Sequence, residues 1–490
     1  MADSQTRQTI RERRLGPAIA AVVLVVLTTA VGALACGPAV TNFRDGQAVR
    51  YPVVLLVGRM GDGSASSVTV VNESSKRDTR RLAGLADGAA FKALAELVPG
   101  RNRLVVRCGQ AETKLTLVYQ PADSDQVVRV FYWTDSTGAT AYQSPDPNDS
   151  QNWRGKLDTL MKLLQCFTAE RINDIGQGRR TFNLEFDDAG RVKVHLLRGG
   201  ATGREYRKMT GLELYAAAKA QLRVQHPSRT AKDLVIAAFT RFDANTGRAL
   251  AHTALGGGDL ALFGGGSLFA WPGNLAEAQA VFMNASPVDD GKSFSDSAGR
   301  DTYWACASTT MGAVLHELGH VFGLVHSVDP QDIMTRGYDR LNRFFTLVEP
   351  PHSRRKSAYA FKSDEIARWS PVSGAALAAG RFFEPDKRDW SRACRTTVKL
   401  NRKARRIDIT SPDGLGYVGV RRTGKPYGVL SVRRVAVKVG ATKASVKLDD
   451  LDRWVMRGSP CLVVIDGQGH VTSVAVRELL AEQVTRQHCP

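Results

Sequence analysis

His316-Glu317-Leu318-Gly319-His320-Val321-Phe322-Gly323-Leu324-Val325-His326 is the stretch from which the rest of the chain can be placed. Histidines at i and i+4 of a helix project from one face a turn apart, so two imidazoles can meet one Zn2+ at about 2.0–2.1 Å. A helix is predicted here because residues 309–321 contain no proline, while Met311, Val314, Leu315 and Leu318 supply apolar surface. His326 is out of reach on a straight helix. Gly323 resolves this, since glycine accepts the left-handed conformation that ends a helix and turns the chain back. Three protein ligands leave a fourth coordination position open, which separates a catalytic zinc site from a structural one. Asp329 is the nearby rival for the third ligand, but His326 has the fitting spacing. Glu317, beside the first ligand, is placed to take a proton from an activated water and return it to a leaving amine.

Written as a pattern, these residues are HExxHxxGxxH, which resembles the metzincin signature of zinc peptidases. The resemblance implies one catalytic Zn2+ held by His316, His320 and His326, with Glu317 as general base. It also implies a methionine turn below the metal, for which Met334 in Asp332-Ile333-Met334 is the candidate. Some metzincins carry a tyrosine two residues after that methionine as an oxyanion-side donor. Here that position is Arg336, and Tyr338 is the alternative. Ile333 to Asp339, Asn342 to Phe345, Leu164 to Glu170 and Ala270-Trp271-Pro272 extend the likeness. Over about residues 40 to 380 the chain is similar to a metallopeptidase family known mainly from fungi and other eukaryotes.

That family implies zinc-dependent peptide-bond hydrolysis of the metalloendopeptidase kind (EC 3.4.24 type), acting on a protein or peptide substrate. It names no particular substrate. The implied fold class is α/β (α+β), a metzincin-like catalytic domain with a twisted sheet and an active-site helix, flanked by two β-rich domains. The alternative from another class is a non-catalytic, zinc-stabilised surface protein that binds glycans or anionic polymers. Glu317 argues against it, because a purely structural zinc needs no base.

Upstream of the motif, strands and helices interleave. Val127 to Trp133 is predicted as a strand, and Leu157, Leu160, Met161, Leu164 and Phe167 recur at helical spacing. Residues 182–186 and 192–197 are predicted to pair as a hairpin across Asp187 to Arg191. A second helix is predicted over 212–222 and a strand over 234–239. Gly256-Gly257-Gly258 and Gly264-Gly265-Gly266 read as turns beside an edge strand, since neither is followed by the Lys-Ser/Thr of a phosphate loop. Residues 37–120 alternate short β-rich runs with Gly, Asn and Asp, which suggests a small β-sandwich. After residue 381 the pattern returns to strands. The predicted division is therefore 1–36, 37–120, 121–380 and 381–490.

Residues 1–36 read as a signal peptide or a membrane anchor. Arg7, Arg11, Arg13 and Arg14 precede an apolar run that ends in Ala33-Leu34-Ala35. If uncleaved, that run would reach a membrane and leave the remainder outside the cytosol. The expected location is accordingly the secretory pathway, extracellular or membrane-anchored. Three Asn-x-Ser triplets begin at Asn72, Asn148 and Asn284 and would be glycosylation acceptors in a eukaryotic cell.

The net charge is +19, and residues 381–490 hold 22 Lys/Arg against 11 Asp/Glu, hence 22 − 11 = +11 of it. Such a balance permits attraction to an anionic polymer or glycan. No nucleic-acid-binding motif accompanies it, and no nucleic-acid partner is expected. Cys394 and Cys461 are the candidate disulfide pair of the last domain. Ser327 and Asp332 are candidates to orient the ligand imidazoles. The histidines at 195, 226, 252, 352, 470 and 488 show no ligand spacing and read as structural.

Overall fold

The computed structural model describes residues 37–60, 67–424, 428–455 and 459–481, so the leader read in residues 1–36 lies outside them. Among the described residues no helix is long and apolar enough to cross a membrane.

The centre is a five-stranded sheet ordered Val194–Arg198, Val128–Thr134, Lys232–Ala237, Leu260–Gly264, Ala254–Gly257. The first four strands are parallel and the last is antiparallel. Helices cover both faces, which is why the inner strands read as near-continuous apolar runs. Val130, Tyr132, Leu234, Ile236 and Phe263 share a core with helices Trp153–Asp174 and Tyr303–Val321. Alternate residues Phe131, Trp133, Val235, Leu260 and Leu262 meet Leu214, Ala218 and Leu222 of helix Gly211–Gln225. That helix starts at a capping box: the Thr210 hydroxyl accepts from the N–H of Glu213, whose carboxylate accepts from the N–H of Thr210.

Two expectations change here. The predicted turn over residues 187–191 forms and is closed by the antiparallel Phe186–Val192 bridge, but the hairpin does not extend beyond it. Val194–Arg198 pairs instead, in parallel, with Val128–Thr134. An isolated two-stranded ribbon is marginal in water, whereas joining this sheet buries Leu197 completely. The helix that carries the motif begins at Tyr303, six residues before the predicted start. Ser308, Thr309 and Thr310 interrupt its apolar pattern in sequence, but Thr310 Oγ1 donates to the Cys306 carbonyl at 2.7 Å and Ser308 Oγ to the Asp339 carbonyl at 3.0 Å. Satisfied in this way, small polar residues can be buried as readily as apolar ones.

Residues 39–119 form one eight-stranded sheet that folds over a core of Val54, Leu56, Val70, Phe91, Leu104, Val106 and Leu117. Part of its other face is buried as well. Val53, Leu55, Leu82 and Leu94 belong to the same core as Trp153–Asp174. Asn72 lies within this sheet at 1% exposure, its amide donating to the Glu96 carbonyl and to Asn102 Oδ1, each at 2.8 Å. It is therefore no glycosylation acceptor in the folded chain.

After helix Pro371–Ala379, a three-stranded antiparallel sheet (Thr397–Asn401, Arg406–Thr410, Lys443–Lys447) lies with a four-stranded one (Leu415–Gly424, Gly428–Arg434, Ser459–Asp466, Val471–Ala475). They share a core of Val398, Ile407, Leu415, Val418, Leu462 and Val464. Cys394 and Cys461 are free thiols, not a bridge. Cys461 Sγ meets Ser473 Oγ at 2.9 Å, whereas Cys394 Sγ lies against Thr472 Oγ1 at 3.6 Å.

Candidate metal centre

The helix Tyr303–Val321 presents His316 and His320 on one face, as its period requires. It ends in a Schellman arrangement. The N–H of Gly323 donates to the His320 carbonyl at 3.0 Å, and that of Leu324 donates to the Gly319 carbonyl at 2.9 Å. Gly323 supplies the left-handed residue this needs, at φ +86°. The chain then doubles back, and His320 Nε2 lies 3.1 Å from His316 Nε2 and 3.3 Å from His326 Nε2.

Those separations decide what the cluster fits. Imidazole nitrogens bound at about 2.0–2.1 Å in a tetrahedral zinc site stand about 3.3 Å apart. Three ring nitrogens that close cannot all carry protons toward one another, so the cluster presents lone pairs to a common point. The outer ring nitrogens fix those tautomers. His316 Nδ1 is 2.7 Å from the Ile333 carbonyl and His320 Nδ1 is 3.0 Å from the Leu324 carbonyl. Burial pushes His316 down to about 3 and lowers His320 as well, which keeps both rings neutral, the form that ligates a metal.

Glu317 is only 7% exposed. Burial pushes its carboxyl up to about 7, opposed by a hydrogen bond from the backbone N–H of Gly256. The edge strand Ala254–Gly257 thus lies directly on the helix Tyr303–Val321, and a Cβ at Gly256 would stand 2.2 Å from the Glu317 carbonyl oxygen. Tyr215 braces the same strand, its hydroxyl donating to the Gly257 carbonyl at 2.6 Å. The first glycine triplet therefore belongs to a strand edge and its turn, with Gly258 at φ +57°.

Met334 is fully buried beneath the cluster, and a Cβ at Gly319 would meet its Sδ at 2.3 Å. The N–H of Ser327 donates to the Met334 carbonyl at 3.0 Å, tying this turn to the residue after His326. Tyr338 stands edge-on to His316, with ring centroids 5.3 Å apart, and its hydroxyl accepts from Arg336 Nη1 at 2.7 Å. Burial raises its phenol.

The rival and helper residues fall elsewhere. Asp329 forms a two-pronged ion pair with Arg368 at 2.9 and 3.1 Å and is not among the clustered donors. Asp332 does not orient His316 or His320. It is buried, accepting from Ser373 Oγ at 2.8 Å and from the N–H of Met334 at 3.0 Å. Backbone carbonyls orient His316 and His320, a role that sequence cannot display because every residue has one. The Gly256 contact with Glu317 was equally hidden, its only signal being the glycine triplet.

Comparison with known proteins adds context to this geometry. The family described as "Putative peptidase family" matches residues 37–408. A Schizosaccharomyces pombe protein named a "Putative zinc metalloproteinase" is 26% identical over 330 residues, which is 63% of this chain and 53% of that protein. One of the same description from Saccharomyces cerevisiae is 26% identical over 482 residues, covering 89% of this chain and 65% of its own length. The chain thus spans about half to two thirds of the length of these relatives. Among solved structures, catalytically inactive OgpA from Akkermansia muciniphila in complex with an O-glycopeptide substrate is 18% identical. It superposes with a TM-score of 0.44 over 72% of this chain and 92% of its own.

Proposed function

The chain belongs to the Putative peptidase family, and from that premise we propose that it is a zinc-dependent endopeptidase of the metzincin kind, acting on protein or peptide chains. The observation that carries this reading is the meeting of the His316, His320 and His326 Nε2 atoms, with the buried Glu317 the next residue after His316 on the same helix. The three imidazoles would hold one ion. Bound there, Zn2+ supplies Lewis-acid activation of a water and of the scissile carbonyl.

The remaining chemistry belongs to the chain. Glu317 accepts the proton of the attacking water and hands it to the leaving amine, oriented by the N–H of Gly256. Met334 forms the turn that supports the histidines from below. Tyr338 accepts a hydrogen bond from Arg336, which leaves its own proton available to the carbonyl oxygen as negative charge develops. The exposed edge of Ala254–Gly257 offers an extended peptide a strand to lie along, across the catalytic carboxyl.

Digestion of casein or a peptide pool, with and without a chelator, tests the reading beside Glu317→Ala. The variant should keep its zinc and lose roughly 10²- to 10⁴-fold in turnover. Equal activity in the two proteins would eliminate the role given to Glu317.

A further inference from the structure

We propose a second zinc site, far from the first in sequence and of different chemistry, formed by Cys394, Asp466 and His470. A sulfur, a carboxylate oxygen and a ring nitrogen from these three residues all lie within 4.8 Å of one another. His470 Nδ1 is 3.2 Å from Asp466 Oδ2. Donors on a tetrahedral Zn2+ stand about 3.3–3.6 Å apart for this mix of nitrogen, oxygen and sulfur, so the sulfur needs to move in by no more than about 1.2 Å.

Local turn chemistry accounts for part of this cluster and not for the rest. Asp466 organises the turn before Val471–Ala475: its Oδ1 accepts from the N–H groups of Gln468 and His470, both at 2.9 Å. That explains one carboxylate oxygen and no side chain besides. The other oxygen, on a carboxylate 1% exposed, faces an imidazole, the Thr396 hydroxyl at 3.3 Å, and a thiol brought from 72 residues earlier. Among the described residues its ion-pair partner is His470, while Arg395 acts on it through space from its own ion pair with Asp413. A buried carboxylate in that position calls for a cation.

The donor set selects the ion. Thiolate, imidazole and carboxylate together suit Zn2+ and disfavour the hard cations Mg2+ and Ca2+, and three protein ligands leave one place for water. Binding releases the thiol proton, so one thiolate and one carboxylate balance the 2+ charge and the buried site is neutral. The Thr472 and Thr396 hydroxyls stand behind the sulfur and the carboxylate as second-layer partners. With three protein ligands the site departs from the closed set of four usual for structural zinc, and it is the position rather than the coordination that gives the ion a linking role. Cys394 precedes Thr397–Asn401 of the three-stranded sheet, while Asp466 and His470 flank the turn between two strands of the four-stranded sheet. One ion would staple the two sheets, between which no disulfide runs among the described residues.

Cobalt substitution separates this site from the histidine cluster, because only a site containing cysteine shows a near-ultraviolet thiolate-to-cobalt charge-transfer band. The full-length protein should bind two Co2+ per chain and show the band. His316→Ala/His320→Ala should bind one and keep the band. Cys394→Ser and His470→Gln should each bind one and lose it. Zn2+ should also raise the thermal midpoint of the His316→Ala/His320→Ala protein, and not once Cys394→Ser is added. A single equivalent in the full-length protein without the band would overturn the proposal, as would Cys394→Ser retaining two equivalents.

Discussion

Gly323 is the residue on which the approach of His326 to the other two imidazoles depends, and the reason is conformation rather than space. An added Cβ there meets nothing within 4 Å, yet the backbone sits at φ +86°. Gly323→Ala should therefore cost about 1–2 kcal/mol in denaturant melts, the penalty of a left-handed residue with a side chain. It should also weaken zinc binding, because Leu324 and His326 follow directly from that turn. Unchanged zinc affinity would show that the turn holds without glycine. Tyr338 poses a different question, since its hydroxyl is seen only as an acceptor from Arg336. If its proton serves the developing oxyanion, Tyr338→Phe should lower kcat by about 10²-fold with KM little changed. A kcat equal to that of the unaltered enzyme would make the residue a support for His316 and nothing more.

At the level of elements, the apposition of the edge strand and the active-site helix makes the strongest prediction. A methyl group at Gly256 would press on the Glu317 main chain, backbone against which nothing flexible can yield. Gly256→Ala should push the strand away from Glu317, lower turnover by at least tenfold and leave zinc in place. Full activity would mean that the strand has no part in orienting the base. The motif helix, the central strands and helix Gly211–Gln225 were legible because each keeps its hydrophobic period over a long run. The start of the motif helix over residues 303–308 was not, since Ser308 is matched by Asp339 and Asn342, partners distant in sequence. Nor was the pairing of Val194–Arg198, because periodicity locates a strand without naming its neighbour. The gathering of three imidazoles was readable for the opposite reason: His316, His320, Gly323 and His326 are placed by local spacing.

Across the whole molecule, the N-terminal sheet is packed into the unit that bears the site, and its Lys92 makes the tie explicit. The ammonium donates to the carbonyls of Arg343, Phe344 and Thr346 at 3.0, 2.8 and 2.7 Å, capping the short helix Asn342–Phe345. Lys92→Met leaves those buried carbonyls without their donor and should destabilise the protein by about 1–3 kcal/mol in denaturant melts. A stability equal to the parent's would show that the tie is dispensable. Deletion of residues 37–119 should be worse, uncovering the face of Trp153–Asp174 that packs on Val53, Leu55, Leu82 and Leu94. A soluble, monodisperse, zinc-binding remainder would refute that dependence. The central claim, that three imidazoles gather one catalytic zinc ion, is tested most directly by an anomalous-difference map at the zinc edge from crystals of the zinc-loaded chain. The account predicts a peak about 2.0–2.1 Å from the Nε2 atoms of His316, His320 and His326 together. No peak between those three rings, or a ring turned away from it, would contradict the account.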